Sequence, residues 1–193
     1  MANRIARWVS IGFDSSVLSL PIFLAIGWLD FHAMGLAWAA MTLIIVTGLP
    51  LAYILIGKRI GWVSDFEISQ RSERPRFMLV SLGSDVLAIL LLSIFNGPHL
   101  LRVMVLAYLC LGITMMTISS FWKISLHMAG VGGYSTALVF VFGPPAIVSF
   151  LSLPLVAWAR YNRKKHTLLQ LIAGATAGIV ITSLVFYCFA GWL

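Results

Sequence analysis

The feature that most constrains this chain is a series of long apolar runs separated by short polar connections, near Ile11–Leu29, Gly35–Ile56, Phe77–Phe95, Leu100–Ser119, Ser125–Phe142, Pro145–Ala159 and Thr167–Phe189. A bilayer core of roughly 30 Å is crossed by about 20 apolar residues in helical conformation. A soluble core is excluded, because the mean hydropathy is +1.00 and only 10% of the residues are charged, outside the range of soluble globular domains. The expected fold is all-α, a polytopic membrane helix bundle of six to seven transmembrane helices forming a single membrane-embedded domain over residues 1–193. The turns Asn96-Gly97-Pro98 and Gly143-Pro144-Pro145 separate neighbouring helices, and Pro154 is placed to kink the short sixth run. Arg4 and Arg7 ahead of the first run resemble a signal peptide, but no small-x-small cleavage site follows, so an uncleaved first span is expected.

Three polar clusters stand where apolar runs begin: Arg71 and Arg74-Pro75, then Lys123-Ile124-Ser125-Leu126-His127, then Arg160 with His166. Cationic and imidazole groups are costly beside so much apolar sequence, and their repetition asks for a shared anionic ligand. Two runs separate the first cluster from the second and two more the second from the third, so all three return to one membrane face. With seven spans and the candidate ligand-binding cations set aside, Lys and Arg divide eight against one in favour of the face shared with the N-terminus. The positive-inside rule then puts the N-terminus and the clusters in the cytoplasm and the C-terminus outside. The same distribution accounts for the net charge of +7 without a nucleic-acid partner, since the cations flank membrane spans and form no basic domain.

Each cluster opens a helix, where unpaired backbone N–H groups and the helix dipole favour an anion. Arginine adds bidentate hydrogen bonds to phosphate oxygens, and Ser125 adds a hydroxyl donor. Two histidines, His127 and His166, can supply a nucleophile and a proton donor for the departing oxygen, which is what cleavage of a phosphate ester requires. No carboxylate pair stands near them in sequence, so no metal and no cofactor are expected. Cys110 and Cys188 lie inside apolar runs and read as small hydrophobic residues.

These residues form a recognisable pattern. Over about residues 65–180 the chain resembles the type 2 phosphatidic acid phosphatase superfamily, whose motifs run K-x6-R-P, P-S-G-H and S-R-x5-H-x3-D, as a divergent, small, bacterial-type member. Here the first motif keeps Arg74-Pro75, the second is Ile124-Ser125-Leu126-His127, and the third is Ala159-Arg160-x5-His166-x3-Gln170. The resemblance implies that His166 attacks phosphorus to form a phosphohistidine and that His127 protonates the leaving oxygen. It implies that Arg160, Arg74 and Ser125 hold the phosphoryl oxygens; the position of the motif lysine holds Glu67, so that function is either lost or taken over by Arg71 or Lys123. Gln170 stands where the family has the aspartate that orients the nucleophile; an amide fixes a tautomer but does not stabilise imidazolium.

The implied substrate is a lipid phosphate, either phosphatidate or a prenyl phosphate or diphosphate. The implied location is the inner, cytoplasmic membrane, with membrane lipids as surroundings and a homo-oligomer or larger membrane complex as a possible assembly. Glu67 and Gln170 keep a second reading open, a weakened or inactive relative that binds a headgroup or a partner complex. Asp85, within the third run, is expected to face the bundle interior, and Asp14-Ser15-Ser16 reads as a helix cap or interfacial segment. Asp30, His32 and His99 read as loop residues on the opposite face. Gly174 and Gly178, with Gly130, Gly132 and Gly133, are expected to let the two histidine-bearing helices pack closely.

Overall fold

A computed structural model describes residues 2–191, apart from the side chains of residues 2, 3, 15, 31 and 71. The described residues form helices joined by short turns and loops, with no strand among them: α1 (Ala2–Gly12), α2 (Ser15–Leu43), a π-helical turn (Ile44–Gly48), α3 (Leu49–Ile60), α4 (Arg74–Ile94), α5 (His99–Phe121), α6 (Leu126–Phe142), α7 (Ser152–Asn162) and α8 (Leu168–Phe189), with 3₁₀ segments at Arg71–Glu73 and Pro144–Leu151. Among the described residues, five helical stretches are long and apolar enough to cross a membrane: Arg4–Asp30, His32–Ile60, Arg74–Ile94, His99–Phe121 and Leu168–Phe189. The fifth apolar run forms the 17-residue α6, which at about 1.5 Å per residue falls just short of a full hydrocarbon crossing. The sixth becomes the 3₁₀ segment followed by α7. Pro154 falls in the first turn of α7, where a missing N–H removes no helical hydrogen bond.

The chain divides into two compact units. The first joins residues 1–22 to residues 123–193. Its centre is the pair α6 and α8, which run parallel: the Ser125 N–H donates to the Gln170 carbonyl at 3.3 Å where both helices begin, and Phe140 meets Phe186 at 5.4 Å further along. Small residues make this approach possible. A β-carbon on Gly174 would meet the Ser125 carbonyl oxygen at 2.5 Å, one on Gly132 the Ala175 carbonyl at 2.7 Å, and one on Gly178 would run into the Ala129 carbonyl. The 3₁₀ segment and α7 carry the chain back so that α8 can start beside α6. Leu18, Met128, Val131, Val156 and Leu171 form the buried apolar centre of this unit. Against α7 packs α1, an amphipathic helix that buries Ala6 and Ser10 and exposes Arg4, Arg7, Ile5 and Trp8.

The second unit spans residues 23–122. Gly27 and Gly35 would lie about 12 Å apart along a straight helix, yet their backbones are in contact. The chain therefore doubles back between them, through His32 at φ 48°. Asp30, beside that reversal, accepts from the N–H of Leu100 at 3.1 Å and so satisfies an otherwise orphaned donor in the first turn of α5. Between α3 and α4, the Asp65 carboxylate accepts from the N–H of Glu67 at 2.8 Å and from the Ser69 hydroxyl at 3.2 Å. Glu73 closes the same loop by accepting from the N–H and hydroxyl of Ser64, each at 3.1 Å. Asp65→Ala removes the inner set of these bonds; it is expected to cost about 1 kcal/mol and to speed limited proteolysis within residues 61–73.

Candidate functional site

Most of the residues singled out from sequence lie in the first unit, at the end where α6 and α8 begin. Ser125 is the N-cap of α6, with extended backbone and a hydroxyl that accepts from the Met128 N–H at 3.3 Å. That bond fixes the direction in which His127, in the first turn, leaves the helix. Thr167 caps α8 in the same way and forms a reciprocal box with Gln170: the Gln170 N–H donates to the Thr167 hydroxyl at 3.4 Å, and the Thr167 N–H donates to Gln170 Oε1 at 3.1 Å.

This box selects the tautomer of a neutral His166. Because Gln170 Oε1 accepts from a backbone N–H, it is the acceptor face of the amide that lies 3.3 Å from His166 Nδ1. The neutral imidazole therefore carries its hydrogen on Nδ1 and donates it to Gln170, leaving the lone pair on Nε2. Gln170 does two jobs with one oxygen. It starts the helix and sets the tautomer of the histidine that precedes it.

His166 and Gln170 line an open cleft of about 1020 Å³ together with Lys123, Lys164, Lys165, Trp158, Tyr161, Asn162 and the apolar Leu168 and Leu169. Among the described residues, no carboxylate lines it. The cleft joins cationic groups to aromatic and aliphatic side chains, a lining that suits an anionic group attached to an apolar one. The turn behind it is held by the Lys165 N–H, which donates to the Arg160 carbonyl at 3.1 Å, and by Lys164 in the left-handed region at φ 51°.

His127 and Arg160 do not line the cleft; they are buried in the same unit, at 7% and 2% exposure. His127 has a partner that lies 113 positions earlier in the chain: its Nε2 is 3.3 Å from Asp14 Oδ2. Asp14 also caps α2, accepting from the Ser16 N–H through Oδ1 at 3.0 Å. The cap read from sequence is present, and the same carboxylate serves an imidazole as well.

Arg74 belongs to the second unit, where it is buried to 3% exposure and its Nε donates to the Ile68 carbonyl at 3.3 Å. Arg71 stands in the 3₁₀ turn before α4, and its side chain lies outside the described residues. Glu67, at the position of the motif lysine, is partly buried in the loop that Asp65 organises. Asp85, within α4, is buried to 5% exposure. Among the described residues, no three His, Cys, Asp or Glu side chains converge in a way that could hold a metal ion.

Compared with known proteins, the chain matches no family model, no curated protein and no solved structure.

Proposed function

We propose that this chain is an integral membrane phosphatase that hydrolyses a lipid phosphate through a phosphohistidine on His166. The observation that carries this reading is the His166–Gln170 pair on the wall of a cationic, carboxylate-free cleft. A neutral imidazole whose Nδ1–H is held presents Nε2 as a nucleophile. Lys123 on the cleft wall, with the buried Ser125 and Arg160 of the same unit, offers cationic and hydrogen-bonding groups of the kind that stabilise a transferring phosphoryl group. Trp158, Tyr161, Leu168 and Leu169 give the lipid chains an apolar path beside the headgroup. The Lys and Arg asymmetry of the sequence supports a site and N-terminus on the cytoplasmic side of an inner membrane, with the C-terminus outside.

The test is phosphate release by the purified protein in mixed micelles, with phosphatidate and with a prenyl phosphate and diphosphate as separate substrates. An acid-labile phosphoenzyme is to be trapped from the same reactions. Release from one class together with a phosphohistidine is the expected result; tight binding of all three substrates without release favours the non-catalytic alternative, for which the amide at Gln170 is the motivating observation. For the topology, Ser69→Cys and Asn162→Cys in a background lacking Cys110 and Cys188 should both react with an impermeant reagent from the cytoplasmic side only. Opposite accessibility of the two defeats the one-face arrangement.

A further inference from the structure

The two histidines are held by chemically different partners, and the difference assigns their roles. His166 faces an amide, which fixes a tautomer but carries no charge. His127 faces the carboxylate of Asp14 at 3.3 Å, an anionic acceptor where His166 has a neutral one. We infer that Asp14 is a positioning residue for His127, keeping it protonated as the proton donor to the leaving oxygen while His166 remains neutral as the nucleophile. This inference rests on the phosphatase reading above.

The carboxylate is well placed for that work. Oδ1 is fixed by the Ser16 N–H at 3.0 Å, so Oδ2 is oriented toward His127 before any substrate arrives. His127 lies two residues beyond Ser125, whose N–H bonds the Gln170 carbonyl, so it stands at the same end of the α6–α8 pair as His166. In the first half-reaction His166 Nε2 forms a bond to phosphorus, the bond from phosphorus to the lipid oxygen breaks, and the His127 proton passes to that oxygen, so the lipid alcohol leaves neutral. In the second, water attacks phosphorus and gives a proton to His127, the bond between phosphorus and nitrogen breaks, and inorganic phosphate departs. Both histidines return to their starting states, and no other reactant is consumed.

Asp14→Asn is the informative variant, because asparagine caps a helix about as well as aspartate and leaves the Ser16 N–H with an acceptor. It replaces the charged acceptor that faces His127 with a neutral amide N–H donor and keeps the cap. The readout is the rate of phosphohistidine formation with two probes: phosphatidate, whose alkoxide must be protonated as it leaves, and p-nitrophenyl phosphate, whose phenolate leaves without a proton. Asp14→Asn is expected to lower the rate about 100-fold more with phosphatidate than with the aryl phosphate, in the range typical of lost general-acid catalysis. His127→Gln should give the same split, and adding Asp14→Asn to it should change nothing further. Equal losses with both probes, or additive losses in the double variant, overturn the inference, since a purely structural role for Asp14 would produce them. Wild-type protein that forms a phosphohistidine with phosphatidate while Asp14→Asn matches it on both probes also overturns the inference and leaves the phosphatase reading standing. A wild type that forms none with either probe overturns both.

Discussion

Replacing His166 with alanine is expected to lower lipid phosphate release by at least about 10⁴-fold, the scale on which loss of a covalent nucleophile acts, and to abolish the trapped phosphoenzyme. Substrate binding should survive, because Lys123, Lys164 and Lys165 still line the cleft. The geometry adds a sharper expectation. Removing the ring vacates a place on the wall of an open cleft of about 1020 Å³, within reach of Gln170 Oε1. Free imidazole can enter there, donate to Gln170 and attack phosphorus through its other nitrogen. Addition of imidazole should therefore restore part of the phosphate release to His166→Ala, and much less to His166→Ala/Gln170→Leu, in which the orienting oxygen is gone. Unchanged release by His166→Ala without imidazole would remove this residue as the nucleophile.

What sequence could and could not show about this site follows from the range of the interactions involved. Ser125, His127, Thr167, His166 and Gln170 depend on helix starts and on spacings of three or four residues, and such local rules are written in the order of the residues. The glycine seam was legible for a related reason: small residues spaced four apart on one helix, facing a glycine-rich stretch on another, leave close packing as their main use. Asp14 was harder to read because its second role is tertiary. Its capping signature is local, but the His127 contact joins residues 113 positions apart. A signal was nonetheless present, since Asp14 opens an apolar run at the same membrane face to which run parity assigns the clusters.

The apolar runs themselves were legible as helices but not in their exact extents. Hydropathy does not report that Asp14 interrupts the first helical stretch, that the chain reverses at His32, or that the sixth run begins as a 3₁₀ segment. These features are decided by which backbone groups find partners. Asp30 and Asp65 illustrate this, because each is a polar residue in a connection that satisfies donors of a neighbouring element.

The largest effect on stability is expected at Gly178, where substitution by valine should cost about 3 kcal/mol or more, the upper range for overpacking a core. The first atom added is already too much: a β-carbon there collides with the Ala129 carbonyl and comes within 2.8 Å of the Gly133 nitrogen. Both obstacles are backbone atoms in the middle of α6, so no side-chain rotation relieves them and the two helices must separate. Separation would also pull the Gln170 carbonyl from the Ser125 N–H, a bond of 3.3 Å that ties the starts of α6 and α8 together. Gly178→Val should thus lower both the melting temperature in detergent and the rate of phosphate release, although Gly178 lies more than about three helical turns from His166. The control is Gly83→Ala on α4, where an added β-carbon meets nothing within 4 Å. Alanine is the better helix former by up to about 1 kcal/mol, so this variant should melt at the wild-type temperature or slightly above it. If Gly178→Val melts with the control, the close approach of α6 and α8 is not what holds the first unit together.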